Sequence, residues 1–348
     1  MQYDTITSEF KEEFLKLAEE AKDIVITAHK GVDDDAIASS LSVYDFLITR
    51  FPNKNIQVMF TGEYLDHFKV FKYYDKVKFL PDLIDGFDST DLLIVLDGSQ
   101  FGRFTDKPEE LKKKVKKTIC IDHHSSPIEK FDLSLVDSKS SSAVEIIYLT
   151  LFKNEEILPH LAEIFLLGIL GDTGNFLYLK SHQTQTLTIA KKLIEIGNIE
   201  IQEFQSRYRT ISKRVFTLIQ KFISNTQYHQ SEGWPNYQTS YISKKEKELE
   251  GYTDNEVSEA SHIYISHYLR LITNYSWGFV ITPKDNETFG ISLRSLLGSV
   301  SVRDMMERLD MGGGHDRASG GTFKKESTYG KCFQLIHEWI HENKPLKQ

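Results

Sequence analysis

The chain reads Thr118-Ile-Cys-Ile-Asp-His-His-Ser-Ser126 at the point where an apolar run meets a group of ionisable side chains. Residues 118–121 are typical of a fully buried strand, and Asp122, His123 and His124 follow at its carboxyl end. In open α/β sheets, ligands bind at the carboxyl ends of the strands. Adjacent histidines also occur as ordinary surface residues, so the stretch indicates a site only if other such groups reach the same edge.

The composition limits the class of protein. With 348 residues, the chain exceeds the usual size of one domain, so two domains are expected. A hydrophobic fraction of 40% and a charged fraction of 26% are those of a soluble globular protein. A net charge of -8 argues against binding of long duplex nucleic acid through a broad basic face. Small anionic substrates remain compatible with it, because metal ions or a local arginine pocket can hold them.

The sequence predicts a cytoplasmic protein that has no membrane partner. Its N-terminus lacks a basic segment followed by an apolar core, and no run of about 18 apolar residues suggests a membrane span. The two cysteines, Cys120 and Cys332, lie far apart in sequence. They are predicted to be buried, reduced thiols and not a disulfide or a thiolate metal site.

Apolar runs that end in ionisable residues predict an α/β domain with a parallel sheet flanked by helices. The runs at 23–28 and 91–97 are predicted strands that place His29 and Asp97 at carboxyl ends. Further strands are predicted at 55–60, 118–121 and 131–136, and helices at 10–21, 36–50, 64–79, 140–151, 162–171 and 183–196.

The domain organisation follows from a change in pattern near residue 198. Residues 1–198 are predicted to form the parallel-sheet domain, 199–234 a helical linker, and 235–348 a smaller α/β domain. The glycine run 312–314 is compatible with a flexible turn, or with a loop whose N–H groups approach a phosphate. In the smaller domain, strands are predicted at 237–242, 276–282 and 288–294, and helices at 257–272, 301–309 and 326–341.

Helix capping does not account for all of the aspartates at helix ends. Asp33, Asp34 and Asp35 open a predicted helix, where a carboxylate caps N–H groups, but capping needs only one of them. Asp172 emerges from an apolar helix between two glycines, and buried carboxylates are costly unless they are paired or bound to metal.

The ionisable groups at strand and helix ends suggest a metal centre. At one sheet edge they would repel one another unless a cation neutralised them. Imidazole and carboxylate ligands without thiolates favour Mn²⁺ or Mg²⁺ over structural zinc, with Zn²⁺ or Co²⁺ as alternatives. Their number suits two ions that share a bridging carboxylate. The groups are His29, Asp33, Asp35, Asp97, Asp122, His123, His124 and Asp172.

The order of these residues resembles the DHH superfamily of metal-dependent phosphoesterases, in the branch with a DHH-associated C-terminal domain. Its first motif, His-x-Asn-Pro-Asp-x-Asp-Ala, appears as residues 29–36, with Gly31 and Val32 at the Asn and Pro positions. The resemblance extends from His29 to about Phe323. The other matches are Asp97, Asp122-His-His124, Asp172-Thr-Gly174, and Gly312-Gly-Gly-His315 followed by Ala318-Ser-Gly320.

The resemblance implies a role for each metal-site residue. His29 and Asp33 would hold one ion, and Asp97 would bridge to the second. The second ion's remaining ligands would be Asp35, His123 and Asp172. Asp122 would be a supporting residue or a weak ligand, and His124 would face the phosphate as a charge stabiliser or proton donor, or else serve as a structural imidazole.

Substrate contacts are expected mainly from the C-terminal domain, across a cleft from the metals. Relatives present an arginine where Arg294 stands, and Arg103 lies six residues after Asp97. For each arginine, a surface salt bridge is the alternative interpretation. The glycine-histidine signature adds Gly313, Gly314, His315 and Ser319 as candidates for binding a terminal phosphate or base.

The implied activity is that of an Mn²⁺-dependent phosphodiesterase with two ions, with Mg²⁺ or Co²⁺ as alternative metals. Its substrates would be short oligonucleotides (nanoRNA) or linear and cyclic dinucleotides such as pApA and cyclic-di-AMP, cleaved to 5′-mononucleotides. Phosphatase activity on 3′-phosphoadenosine 5′-phosphate (pAp) is a further expectation, and relatives often form homodimers through the first domain. The alternatives are an inorganic pyrophosphatase or exopolyphosphatase, and a non-catalytic nucleotide sensor. The Gly-Gly-Gly-His segment argues against a pyrophosphatase.

Overall fold

The computed structural model describes residues 2–125, 128–269, 271–284, 288–323 and 328–345, with side chains from residue 7 onward. The chain divides into two compact units, Met1–Thr210 and Ile211–Gln348. Ser126 of the opening stretch and Glu326, the predicted start of the last helix, lie outside the described residues. No described helix is long and apolar enough to cross a lipid bilayer.

The segment predicted as a linker, 199–234, contributes to the cores of both units. Phe204 and Tyr208 are buried in the core of the first unit. Leu218 and Phe222 are buried in a core of the second. The two compact units adjoin at residues 210 and 211, within this segment.

The first unit is built on a parallel sheet, as predicted. Its described strands are β1 (Asp23–Ala28), β2 (Asn55–Thr61), β3 (Val77–Leu80), β4 (Thr90–Leu96), β5 (Val115–Asp122) and β6 (Leu133–Val136). They pair in the order β3-β2-β1-β4-β5-β6. Its described helices are α1 (Gln2–Glu20), α2 (Asp34–Arg50), α3 (Pro108–Lys114), α4 (Ala143–Thr150), α5 (Pro159–Asp172), α6 (Thr184–Gly197) and α7 (Ile201–Tyr208).

Alternate residues of each central strand pack against two different layers. Ile24 and Ile26 of β1 face the core formed with most of the helices. Val25 faces the other side, where Leu111 of α3 and short 3₁₀ turns cover the sheet. Both faces are therefore apolar, which explains why the central strands are continuous hydrophobic runs.

The strand order places a crevice between β1 and β4. The chain runs from β1 outward to β3 and then returns to the other side of β1 with β4. Ligands bind at this reversal of strand order, outside the carboxyl ends of the strands. His29 follows β1 directly and Asp97 follows β4 directly, so the fold brings both to the same crevice.

The second unit contains a mixed sheet with helices on both faces. Its described elements are α8 (Lys213–Ser224), β7 (Gln227–His229), β8 (Tyr237–Tyr241), α9 (Lys244–Glu250), α10 (Asp254–His267), β9 (Trp277–Pro283), β10 (Phe289–Ser295), α11 (Val302–Arg308), β11 (Gly312–His315), β12 (Ala318–Phe323) and α12 (Tyr329–Glu342). The strand order is β11-β12-β10-β9-β8-β7. Phe279 packs against α11 and α12, whereas Val280 packs against α8 and α10. Cys120 and Cys332 are buried and are not joined in a disulfide, as predicted.

The helix predicted at 64–79 was wrong. The segment forms two 3₁₀ turns, Asp66–Val70 and Tyr74–Lys76, and then enters β3. Tyr73 adopts a positive φ of 69°, which interrupts a helix. The aromatic side chains gather around Tyr74, which is fully buried, so their spacing reflects a ring cluster and not a helix face.

Candidate metal centre

Asp97 lies at the centre of the candidate site. It is 1% exposed and adopts a left-handed φ of 53° directly after β4. Its Oδ2 lies 3.2 Å from Nε2 of His29. Its Oδ1 lies 3.5 Å from Nε2 of His123 and 3.4 Å from Nδ1 of His124. One carboxylate therefore lies among three imidazoles that follow β1 and β5.

The structure brings together all six residues predicted as metal ligands. One group of ligand atoms within 4.8 Å of one another comes from His29, Asp33 and Asp97. A second comes from Asp35, Asp97 and His123, so Asp97 belongs to both. Asp172 adds a carboxylate oxygen 2.9 Å from Nε2 of His123. Asp97 is thus common to two clusters of possible ligand atoms, and Asp172 lies beside the second of them.

The aspartates that open α2 have different partners. Asp33 caps its own helix by accepting the N–H of Ala36 at 3.0 Å. Asp35 is fully buried and accepts the N–H groups of Ala143 at 2.6 Å and Val144 at 3.0 Å. Those N–H groups are the free donors of the first turn of α4, where the helix dipole also favours a negative charge. The N-terminus of α4 therefore fixes Asp35 in place.

Asp172 reaches the site because α5 approaches α2 closely. A Cβ atom on Gly171 would lie 2.3 Å from Cβ of Asp34, so only glycine fits there. Asp34 itself lies 3.7 Å from Arg209, a contact that the sequence did not predict. Burial raises the pKa of Asp34 to about 7, against the opposing effect of Arg209.

Asp122 orients His124. Its Oδ1 accepts the backbone N–H of His124 at 3.1 Å and lies 2.7 Å from the Nδ1 atom of the same residue. Together with Asp97, these two residues form a third group of ligand atoms within 4.8 Å. These contacts fit the supporting role predicted for Asp122. The predicted alternative, a weak metal ligand, is also compatible with them, because Asp122 belongs to this group of possible ligands.

Burial and the mutual contacts of imidazoles and carboxylates shift the pKa values of several site residues. Burial opposes protonation of His29 and His123, but nearby carboxylates outweigh it and hold the pKa of each well above its ordinary value. Burial alone would raise the pKa of Asp97, yet the imidazoles keep it well below its usual range. Burial raises the pKa of Asp35 and Asp172. Cation binding would displace these protons from the ligand atoms.

Two buried carboxylate oxygens support the fit to divalent cations. Oδ1 of Asp97 and Oδ2 of Asp122 have no hydrogen-bond partner among the described residues. A buried carboxylate oxygen without a partner is costly, and a bound cation removes that cost. Carboxylate oxygen and imidazole nitrogen without thiolate suit hard or borderline divalent ions. The residues present therefore fit metal binding.

Arg103 lies in the loop that follows Asp97. Its carbonyl accepts the N–H of Lys30 at 2.7 Å, which joins the loops after β4 and β1. Asp82 holds the same loop by accepting the N–H of Asp106 at 2.9 Å and the hydroxyl of Thr105. The backbone around the candidate arginine is thus anchored close to the metal centre.

The predicted substrate residues of the second unit lie on adjacent strands. Gly314 of β11 pairs with Ser319 of β12, and Arg294 of β10 pairs with Ala318. Gly314 has a φ of 141°, and a Cβ there would lie 2.6 Å from the carbonyl oxygen of Ala318. The flexible turn considered for the glycine run 312–314 was therefore wrong, because these glycines form a strand paired with β12. Gly313 and His315 lie on the same short strand, β11.

Comparison with known proteins identifies both units. The DHH family N-terminal domain matches residues 23–169, and the DHHA1 domain matches residues 240–342. The chain is 31% identical over 176 residues to the probable bifunctional oligoribonuclease and PAP phosphatase NrnA of Streptococcus mutans. That alignment covers 49% of this chain and 52% of the relative, so the chain spans about half the length of that protein.

Two further proteins resemble the chain over most of its length. The bifunctional oligoribonuclease and PAP phosphatase NrnA of Thermus thermophilus is 25% identical over 324 residues, which are 90% of this chain and 89% of the relative. An exopolyphosphatase-related protein from Bacteroides fragilis superimposes with a TM-score of 0.78 at 24% identity over 96% of both chains, which shows a common fold. The chain therefore belongs to the DHH phosphoesterase superfamily, in the branch that carries a DHHA1 domain.

Proposed function

We propose that this protein is a phosphodiesterase that cleaves short oligonucleotides or linear and cyclic dinucleotides to 5′-mononucleotides and also dephosphorylates pAp. The observation that carries the proposal is the position of Asp97, which belongs to both groups of candidate metal ligands. A shared carboxylate between two divalent ions is the arrangement of many phosphoesterases. The names of the Streptococcus and Thermus relatives support short nucleic acids and pAp as substrates.

In this proposal each ion would have its own ligands besides Asp97, which both would share. His29 and Asp33 would hold one ion, and the other would be held by Asp35, His123 and Asp172. We favour Mn²⁺, with Mg²⁺ or Co²⁺ as alternatives, because the ligands combine hard oxygens with imidazole nitrogens. When bound, the ions supply an activated water and positive charge for the phosphoryl oxygens.

The protein's own contribution to proton transfer comes from His124. A proton on Nδ1 is donated to Asp122 at 2.7 Å, which fixes the tautomer and the ring. Nε2 then faces the substrate, and when the ring carries a second proton, its Nε2–H can donate a hydrogen bond to a phosphoryl oxygen or give that proton to the leaving oxygen. Burial of Asp122 and Asp97 keeps water from competing for the imidazole.

Substrate binding is assigned to both units. Arg103 would contact the phosphate near the metals, and the other candidates would bind the far end of a short substrate. In β11 the glycines leave the backbone accessible, and Arg294 and His315 provide polar side chains on the two strands that flank β12. These residues are Arg294, Gly313, Gly314, His315 and Ser319. The proposal keeps the division by role predicted from the sequence, with 1–198 as the catalytic domain, 199–234 as the linker and 235–348 as the substrate domain.

The proposal also covers the location, assembly and partners of the protein. We propose a cytoplasmic enzyme, since both cysteines are buried and form no disulfide. A homodimer is the expected assembly from the family resemblance, and the negative net charge disfavours long duplex nucleic acid as a partner.

The test is a comparison of kcat/KM for purified protein with Mn²⁺ on pApA, a trinucleotide, cyclic-di-AMP, pAp and inorganic pyrophosphate. Hydrolysis of at least one of the first four, abolished in Asp97→Asn, is expected. Rapid hydrolysis of pyrophosphate alone would instead support the pyrophosphatase alternative. Equal rates for wild type and Asp97→Asn on every substrate would exclude catalysis at this site.

The assignment of His315 needs a separate measurement. His315→Ala should reduce kcat/KM for pApA far more than for a small aryl phosphodiester, because the aryl compound lacks the second nucleotide that His315 is proposed to bind. His267→Ala, a change of an exposed histidine at the end of α10, serves as the control. Equal losses on both substrates would remove the substrate-binding role.

A further inference from the structure

Helix α12 carries two histidines on one face. Residues 337–341 read His-Glu-Trp-Ile-His, and a spacing of four residues places the two histidines one turn apart. Their Nε2 atoms are 3.2 Å apart. His337 is half-buried and His341 is exposed, so the pair can be reached from solvent. Neither residue belongs to the metal centre described above.

The distance between the two nitrogens suits one metal ion. A zinc-to-nitrogen bond measures about 2.0–2.1 Å, so nitrogens 3.2 Å apart subtend an angle of about 100° at a shared ion. That angle is close to tetrahedral and also close to the angle between adjacent ligands in a tetragonal copper or nickel site. A helix presents two histidines of this spacing to metal ions in other proteins for the same geometric reason.

His337 is held in an orientation that favours binding. Its Nδ1 lies 3.0 Å from the hydroxyl of Tyr237, a buried residue of β8. The His337 ring also stacks on Phe333, with centroids 5.5 Å apart and an interplanar angle of 16°. When Nδ1–H donates to the tyrosine oxygen, Nε2 keeps its lone pair for a metal ion. Tyr237 therefore fixes the ring through Nδ1, and Nε2 is available to coordinate a metal ion.

We propose that His337 and His341 form a second metal site, which binds one borderline transition-metal ion such as Zn²⁺, Ni²⁺ or Cu²⁺. Its ligands are imidazoles alone, whereas the centre around Asp97 is rich in carboxylates, so the two sites select different ions. Among the described residues, no third His, Cys, Asp or Glu ligand atom lies within 4.8 Å of both nitrogens. The remaining coordination positions therefore belong to water or to a chelating small molecule.

The pattern does not extend to a peptidase site. Glu338 occupies the position of the general base in the His-Glu-x-x-His motif, but its Oε1 accepts a hydrogen bond from Gln334 at 2.7 Å. A catalytic zinc site uses three protein ligands, and the described residues supply two. The proposal is thus limited to ion binding, and it holds whether or not the proposed phosphodiesterase activity is correct.

The test uses Cu²⁺-nitrilotriacetate as the probe, with the full-length protein and with Mn²⁺ present to fill the carboxylate-rich centre. The chelate leaves positions for two imidazoles, and electron paramagnetic resonance counts the coordinated nitrogens. Wild type should bind one equivalent through two imidazoles. His341→Ala should weaken binding by about 100-fold, because the second imidazole then no longer acts at high effective concentration.

The control is His267→Ala, which removes an exposed histidine from the last turn of α10 in the same unit and should leave the affinity unchanged. His341 is exposed, so its substitution leaves the core intact. Equal affinity of wild type and His341→Ala, or a spectrum of one imidazole in the wild type, would overturn the proposal and leave the 3.2 Å contact as an N–H···N hydrogen bond.

Discussion

Replacement of Gly171 by alanine tests whether the position of Asp172 determines activity, because the change should move this residue without unfolding the protein. The new Cβ would lie 2.3 Å from Cβ of Asp34, and neither atom can rotate away. Ordinary contact begins near 3.4 Å, so α5 and the start of α2 must move apart by about 1 Å. This motion shifts Asp172 relative to Asp33 and Asp35, which lie beside Asp34 on α2.

The expected loss of activity is large and the expected loss of stability is small. A displacement of about 1 Å at reacting groups lowers rates by about 100-fold. Overpacking lowers the free energy of unfolding by about 1–3 kcal/mol, and alanine in place of a helical glycine returns about 1 kcal/mol. The net destabilisation is therefore about 0–2 kcal/mol, and Gly171→Ala should remain folded.

The assay is kcat/KM for pApA with Mn²⁺, together with urea unfolding in EDTA. Gly330→Ala is the matched control, because a Cβ there has no neighbour within 4 Å and the residue lies in α12. Asp34→Gly removes the clashing atom. In the Asp34→Gly background, Gly171→Ala should therefore cause no further loss of activity. If folded Gly171→Ala keeps kcat/KM within about threefold of wild type, the close approach of α5 does not position Asp172.

Three other predictions concern the metal centre and its supporting loop. Mn²⁺ at about 100 times its Kd should raise the free energy of unfolding by about 2.7 kcal/mol in urea titrations, and Asp97→Asn should lose most of this gain. Asp122→Ala should lower kcat/KM by about 10–100-fold and His124→Ala by more, and the double variant should match His124→Ala if both act through one imidazole. Hydrogen bonds outweigh burial and hold the pKa of Asp82 below its ordinary value, so Asp82→Asn should destabilise the protein by about 1–3 kcal/mol at pH 7. Because folding lowers the pKa of this carboxyl, the difference should be complete above the unfolded pKa of about 4 and should shrink as the pH falls from there toward the lower folded pKa; a difference that does not change with pH would contradict it.

The central strands could be predicted because their sequence pattern depends on burial alone. Both faces of β4 are covered, so its residues form one apolar run that stops at Asp97. The strand β11 lacks such a pattern, since three glycines carry no side chains to alternate. Its formation depends on pairing with β12, where the glycines permit close backbone contact. The sequence records the composition of such a strand but not its partner.

The metal-site residues could also be predicted, but the groups that hold them in place could not. Asp33, Asp35 and Asp97 are recognisable because carboxylates at strand and helix ends are chemically distinctive. The donors that fix Asp35 are backbone N–H groups of α4, more than a hundred positions along the chain. Every residue except proline has such a group, so no residue type marks it. The contact of Asp34 with Arg209 is equally non-local.

The left-handed backbone at Asp97 restricts how this position can evolve. Glycine and asparagine fit a φ of 53° with little strain, but neither carries the carboxylate that both ligand groups share. Glutamate keeps the charge, but it is longer and lies in a backbone conformation that costs roughly 1–2 kcal/mol for most side chains. Position 97 therefore has no conservative substitution, and a lineage that loses this aspartate must lose the shared ligand with it.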